Sequence, residues 1–258
     1  MSDSFSVVPF SRERQVVVDS LAIGVERHVV HGLVEIDVTC ARQFMREHKA
    51  RTGEALSFTA YVVACLAHAV ELHKSVQAYR DWRNRLVIFD EVDVVVMIEA
   101  EKDRVAIPHI VRAANRKTFR QIHDEIRAIQ SKPTQSVQKS GGLARLGLLA
   151  PSFIRKFVIR LLMKDPHWMK NFGGTVVVTS IGMFGRSGGW GVAMMPMHTL
   201  GLVVGGMVEK PGVIDGRIEI REYLDLTINV DHDIVDGAPM ARFTRELVAL
   251  IESGYGLE

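Results

Sequence analysis

Two spacings of hydrophobic residues divide the chain. Residues 57–76, SFTAYVVACLAHAVELHKSV, set Tyr61, Val62, Cys65, Leu66, Ala69 and Val70 at steps of three and four, which predicts a long buried helix. Residues 117–130 carry Phe119, Ile122, Ile126 and Ile129 on one helical face and Arg120, Asp124, Glu125 and Arg127 on the other. Further helices are expected at about Cys40–Arg51 and Pro239–Glu252. Strand-like runs lie between them: HGLVEIDVT (31–39), RLVIFD, VDVVVMIEAE, VAIPHIV, GTVVVTS (174–180), TLGLVVGGMV (199–208) and RIEIREYLDLTINV (217–230). SKPTQSVQKSGG (131–142) is rich in turn formers and reads as a linker. Strands and long helices mix without regular βαβ alternation, so an α+β two-layer sandwich is expected rather than a doubly wound sheet.

Composition narrows this little. The 258 residues, 47% of them hydrophobic, suffice for a sizeable core in one large domain or two small ones. No run of 18 apolar residues predicts a spanning helix, and the first residues lack the apolar region of a secretory signal. Cys40 and Cys65 have no metal or redox spacing, so a reducing, cytoplasmic setting is expected. The net charge of +2 gives no reason to expect nucleic acid as a partner, but its distribution is uneven: residues 141–171 carry +5 and the rest −3. Within that stretch Ile154, Phe157, Val158 and Leu161 mark one face, and Arg155, Lys156 and Arg160 the others. The reading is a surface helix with solvated arginines; a membrane-surface contact through 150–164, a lid, or a dock for an acidic carrier protein are the alternatives. Trp168 and Trp190 are expected in core packing, with a channel wall as the other reading.

Ten histidines are present, so most must be ordinary. His28, His48, His73 and His123 have polar neighbours and read as solvated; His68 reads as partly buried and satisfied. None is paired at a metal-binding spacing, so no metal is expected. His232 is set apart. It follows the alternating strand Leu226, Ile228, Val230 and precedes a helix, in INVDHDIVDGAPMARF (228–243). An imidazole titrates near neutrality, and a strand end places it where ligands reach. Asp236 and Gly237 follow, a carboxylate and a residue permissive of a sharp turn. From the spacing alone, proton chemistry and an ordinary polar strand–helix turn both stand.

His232, Asp236 and Gly237, as H-x-x-x-D-G, resemble the active-site motif of the acyltransferase components of 2-oxo acid dehydrogenase complexes, which share a fold with chloramphenicol acetyltransferase. FGGTVVVTSIGMFG (172–185) is similar to that family's Gly-Gly-Thr strand ending in a hydroxyl residue. SFTAYVVACLAHAV, VAIPHIVRAANRKTFRQIHDEI and the run from Gly205 to Phe243 follow in the family's order, over residues 12–255. The resemblance implies a single catalytic domain over 1–258 with a basic insertion at about 141–171. It implies coenzyme-A-linked acyl transfer to a dihydrolipoyl-type thiol or another small acceptor. His232 would be the general base, Thr179 the oxyanion donor with Ser180 as fallback, and Asp236 an orienting group. Strand alternation lets only one of Thr179 and Ser180 face the site. Arg116 and Lys117 match a basic family position and are candidates for the coenzyme A phosphates, ordinary surface charges being the other reading. The implied assembly is a homotrimer with the active site between subunits.

The chain departs from the family in four places. No lipoyl domain is evident, so a lipoyl group would sit on a separate lipoyl or acyl carrier protein. Asp233 replaces the usual arginine after the histidine and would raise the imidazole pKa if it faced the ring. The 141–171 stretch is longer than expected, and the polar IESGYGLE ending suits a free trimer better than a large shell. The alternatives are a non-catalytic trimeric scaffold and a carrier-protein condensing or transacylating enzyme.

Overall fold

The computed structural model describes residues 5–98, 107–131, 150–181 and 188–257. Of the linker expected at 131–142, Ser131 ends a helix and the rest lies outside these residues, as do the first part of the basic stretch and the Met183-Phe184-Gly185 triplet. The helices are α1 (Arg12–Gly24), α2 (Thr39–Thr52), α3 (Phe58–Leu72), α4 (Phe119–Ser131), α5 (Ser152–Leu162), α6 (Pro166–Gly173) and α7 (Gly237–Glu252). The strands are β1 (Val29–Asp37), β2 (Tyr79–Arg80), β3 (Leu86–Val87), β4 (Val94–Ile98), β5 (Ile107–Val111), β6 (Val176–Ser180), β7 (Leu200–Ile214) and β8 (Arg217–Asp231). Six form one mixed sheet in the order β1-β8-β7-β6-β4-β5; β2 and β3 pair as a separate hairpin. The α+β sandwich expected from the sequence is what forms.

Local chemistry sets the element ends. Ser57 caps α3, its hydroxyl accepting from the Ala60 N–H at 3.2 Å, so the helix starts at Phe58. Thr118 and Gln121 form a reciprocal capping box (2.9 and 3.3 Å), which moves the start of α4 two residues past the expected 117. Gly53, left-handed at φ 77°, ends α2. Two helices were not anticipated. α1 is capped by Ser11, and α6 by Asp165 with Pro166 in its first turn, a Asp-Pro start signal that the charge of the surrounding stretch obscured. The RLVIFD run shrinks to the two residues of β3.

α3 is buried on nearly every side, as its run of apolar residues requires. It packs between one face of the sheet and helices α4 and α7. The Tyr61 hydroxyl donates to the Ile251 carbonyl at 2.6 Å, tying α3 to the end of α7. His123, expected in solvent, is buried. Its Nδ1 accepts the Ser57 N–H at 3.0 Å, and burial holds its pKa below the usual histidine value. It is the polar pin between α3 and α4.

The basic helix also differs from expectation. Arg155 is not solvated but pairs with the buried carboxylate of Asp19 on α1 at 2.7 Å, while Arg160 stays half exposed and pairs with Glu26 just past that helix. The apolar face points outward, with Phe153 72% and Phe157 67% exposed. Neither tryptophan is in the core. Trp168 is half-buried and stacks on Phe172 at 4.9 Å, while Trp190 is exposed and its Nε1–H reaches the Val34 carbonyl at 3.4 Å.

The end of β8 is held from several sides. The Asp231 N–H donates to the Thr199 carbonyl at 2.9 Å, and the His232 N–H to the His28 carbonyl at 2.8 Å. The Asp231 carboxylate, buried, accepts from Arg27 at 2.9 Å and from the Asp233 N–H at 3.1 Å. Arg27 also donates to the His198 carbonyl at 3.1 Å. The His198 ring, buried, hydrogen-bonds the Gly173 carbonyl through Nε2, and burial pushes its pKa down to about 4.

Two outcomes follow from this cluster. Arg27→Met leaves a buried carboxylate without its cation, and chemical denaturation should show a loss of about 3 kcal/mol. His198 stays neutral in the fold, whereas an unfolded imidazole takes a proton near 6.5. The unfolded chain therefore binds more protons as the pH falls, and stability should drop from about pH 6.5 toward 4. His123 contributes in the same direction. In His198→Gln, which keeps a donor but does not titrate, melting temperature should fall less steeply over that window; an unchanged slope would contradict the assignment.

Candidate active site

At one end of the sheet, β8 runs out at Asp231 into a turn, 232–236, and α7 begins at Gly237. Asp231 holds that turn from below, its carbonyl accepting from the Ile234 and Val235 N–H groups at 3.1 and 3.0 Å. The His232 ring is exposed, and among the described residues it has no hydrogen-bond partner. Asp233, which replaces the family's arginine, pairs with His28 Nδ1 at 2.9 Å rather than with the His232 ring.

Asp236 is the N-cap residue of α7 by backbone conformation, yet its side chain makes no capping bond. It is exposed and does not contact His232 by any hydrogen bond among the described residues. Gly237 does not serve the sharp turn expected of it. It is the first helical residue, has no left-handed φ, and a Cβ there would meet nothing within 4 Å.

Thr179 and Ser180 close β6 further along the sheet, level with Val203 and Val204 of β7, which runs on to Ile214. Val176 and Val178 enter the helix-covered core, so alternation turns Ser180 toward the helices and Thr179, with Val177, toward the opposite face. Both residues are half-buried. On Thr179's face the cross-strand neighbours are Val203 on β7 and Thr227 on β8. The Thr227 hydroxyl is buried there without a partner.

The register fixes how far these residues lie from His232. Thr179 is level with Thr227, and His232 is five residues beyond Thr227 along β8, in the direction opposite to the run of β6. At about 3.4 Å per residue and about 4.8 Å between strands, His232 and Thr179 of one chain are roughly 20 Å apart. One chain therefore assembles His232, Asp236 and Gly237 on a single turn but does not bring Thr179 or Ser180 to them.

Arg116 and Lys117 lie elsewhere again. They line a cleft of about 830 Å³ with His48, Arg51, Arg120 and Tyr255. Lys117 is paired with Glu125 at 2.6 Å; Arg51 and Arg116 enter no ion pair among the described residues. Tyr255 follows the far end of α7, and sixteen helical residues span about 24 Å, so this cleft and the His232 turn sit at opposite ends of that helix. Sequence spacing also missed a cluster of possible metal ligands, Glu54, His123 and Asp124, whose ligand atoms lie within 4.8 Å of one another. Their donors are engaged: both Glu54 oxygens accept from Arg120, at 2.7 and 2.8 Å, and His123 Nδ1 from Ser57.

Comparison with known proteins bears on both fold and lineage. The family model described as 2-oxoacid dehydrogenases acyltransferase (catalytic domain) matches residues 2–140 and 166–257 and passes over 141–165. The chain is 24% identical over 86% of its length to the lipoamide acyltransferase component of the branched-chain alpha-keto acid dehydrogenase complex of Bacillus subtilis. It is 26% identical over 79% of its length to the dihydrolipoyllysine-residue acetyltransferase component of that organism's pyruvate dehydrogenase complex. These matches cover 46% and 40% of the relatives, so the chain spans about half the length of the curated relatives it matches. A probable dihydrolipoamide acetyltransferase from Listeria monocytogenes superposes with a TM-score of 0.74 at 20% identity, covering 97% of this chain and 96% of the other. A chloramphenicol acetyltransferase gives 0.53 at 13% identity, covering 97% of this chain and all of the other. By sequence and by the order of its sheet and helices, the chain belongs to the 2-oxoacid dehydrogenase acyltransferase catalytic-domain family.

Proposed function

We propose that the chain is a coenzyme-A-linked acyltransferase that moves an acyl group between a coenzyme A thioester and a thiol of dihydrolipoyl type or another small acceptor, acting as a homotrimer. The observation that carries this reading is the split site. An exposed imidazole, without a hydrogen-bond partner among the described residues, stands on a turn at one end of the sheet, and the hydroxyl residues lie roughly 20 Å away, part-way along it. A closed ring of copies, in which the turn of one chain meets the β6 end of a neighbour, would unite them; a single chain cannot.

In that arrangement neutral His232 removes the proton of the attacking thiol as its sulfur adds to the thioester carbonyl. It then returns the proton to the departing thiolate. The tetrahedral oxyanion needs a donor from the neighbouring chain. Thr179 fits better than Ser180 because it lies on the face turned away from the chain's own helices. Asp236, exposed and without a side-chain partner among the described residues, would orient groups at the subunit boundary. Coenzyme A phosphates would find cations in the cleft of Arg51, Arg116 and Lys117, a helix length from the same chain's histidine.

Intersubunit complementation tests the reading. His232→Ala and Thr179→Ala should each lose at least 100-fold in thioester turnover, about the smallest effect of removing a general base or an oxyanion donor. Mixed trimers of the two inactive variants should regain activity, because each mixed ring keeps one site with both groups intact. Random equal mixing should restore about a quarter of wild-type turnover. No recovery in verified mixed trimers would refute the shared site. Retained activity in Thr179→Ala, with loss in Ser180→Ala that mixing with His232→Ala restores, would transfer the oxyanion role to Ser180. An intact His232→Ala trimer with unchanged turnover would favour the scaffold reading.

A further inference from the structure

A second concavity, of about 370 Å³, lies against the other side of the His232 turn. Asp231, Asp233 and Ile234 form one wall; Arg80 and Trp82, from the β2–β3 hairpin, form another. Lys164 and Met163 close a third side. Those two residues belong to the stretch that the family model passes over, so this wall is particular to the chain. α5 holds them in place by docking through Arg155–Asp19 on α1 and Arg160–Glu26 just past it.

The charges around this pocket do not cancel evenly. Three carboxylates on its wall are paired with arginines, Glu26 with Arg160, Asp81 with Arg85 at 2.8 Å and Asp231 with Arg27 at 2.9 Å, and Asp233 is hydrogen-bonded to His28 at 2.9 Å. The Tyr79 hydroxyl is spent on the Gly174 carbonyl at 3.0 Å. Two cations remain, Arg80 and Lys164, which enter no ion pair among the described residues. Beside them the Trp82 ring, steadied by Arg83 stacked at 4.4 Å, is 68% exposed. Two uncommitted cations and a flat apolar wall suit a small ligand with an anionic head and a short apolar stem.

We propose that this pocket is a binding site for a small anion, a carboxylate or a phosphate, held by Arg80 and Lys164 beside the histidine turn. Where it deepens the function proposed above, and so rests on that reading, the anion is a group on the acceptor. The pocket then favours thiols carrying a negative charge over neutral ones.

Titration of the assembled protein with malonate and with inorganic phosphate, followed by calorimetry, tests the site itself. At least one anion should bind wild-type protein and His232→Ala equally, and roughly tenfold or more weaker to Arg80→Met and to Lys164→Met. The anion that binds tells carboxylate from phosphate recognition. Failure of both anions to bind, or binding indifferent to both substitutions, overturns the proposal. So does loss of the trimer in both variants with no anion bound, which would place these cations in a subunit contact. The second arm compares 3-mercaptopropionate with 2-mercaptoethanol as acceptors of an acetyl group from acetyl-coenzyme A. Arg80→Met and Lys164→Met should raise KM for the charged thiol about tenfold and leave kcat for the neutral thiol unchanged. Equal effects on both thiols would refute acceptor selection. Wild-type protein that binds the anion but turns over neither thiol would defeat the acyl-transfer reading while leaving the pocket standing.

Discussion

The buried ion pair of Asp231 and Arg27 is the constraint on which the presentation of His232 depends. A strand that ends in solvent frays, because its last backbone groups have no ladder to pair with. Here the last residue of β8 is a carboxylate, sunk beneath the surface, that takes one bond from Arg27 and another from its own turn. Its backbone is tied to Thr199 and, one residue later, to His28. Withdrawing Arg27 would leave the buried carboxylate without its cation, at a cost larger than that of losing an exposed salt bridge. The imidazole one residue on therefore stands on a fixed base although its own ring has no hydrogen-bond partner among the described residues.

That fixed base explains why the two candidate catalytic ends cannot approach each other within one molecule. β7 and β8 are long, paired strands, and β6 extends the same sheet in parallel with β7. A hydrogen-bonded sheet does not fold back over a few residues to bring two such positions together. The separation of His232 from Thr179 is thus a rigid property of the sheet, not one that loop motion removes. The supply of the missing group by a symmetry-related copy needs no such distortion.

Much of the architecture was legible because it rests on periodicity. The three- and four-residue steps of α3 and α4 and the alternation in β8 each report a buried face, and those elements stand close to where they were expected. What the sequence hid depends on contacts between distant residues. His123 has polar neighbours along the chain and reads as solvated; only the return of α3 beside α4 buries it against the Ser57 N–H. Gly237 reads as a turn former because glycine usually is one, but its backbone here is one that any residue adopts. The basic helix shows the limit most clearly. A two-sided pattern says that α5 has an apolar and a charged face, not which of them the body takes. Asp19 on α1 decides it, drawing Arg155 inward and leaving Phe153 and Phe157 outside.

The site was legible by a different route. Spacing alone left His232 as either a base or a turn residue, and the resemblance of several ordered segments to one family settled which reading to pursue. The structure adds a reason that neither spacing nor resemblance contained. A histidine that served the turn would be bonded to it, as His28 is to Asp233 and His198 is to Gly173. His232 contributes only its backbone N–H, which any residue but proline could supply. The turn needs the position and not the imidazole, which leaves the ring free for the role proposed for it.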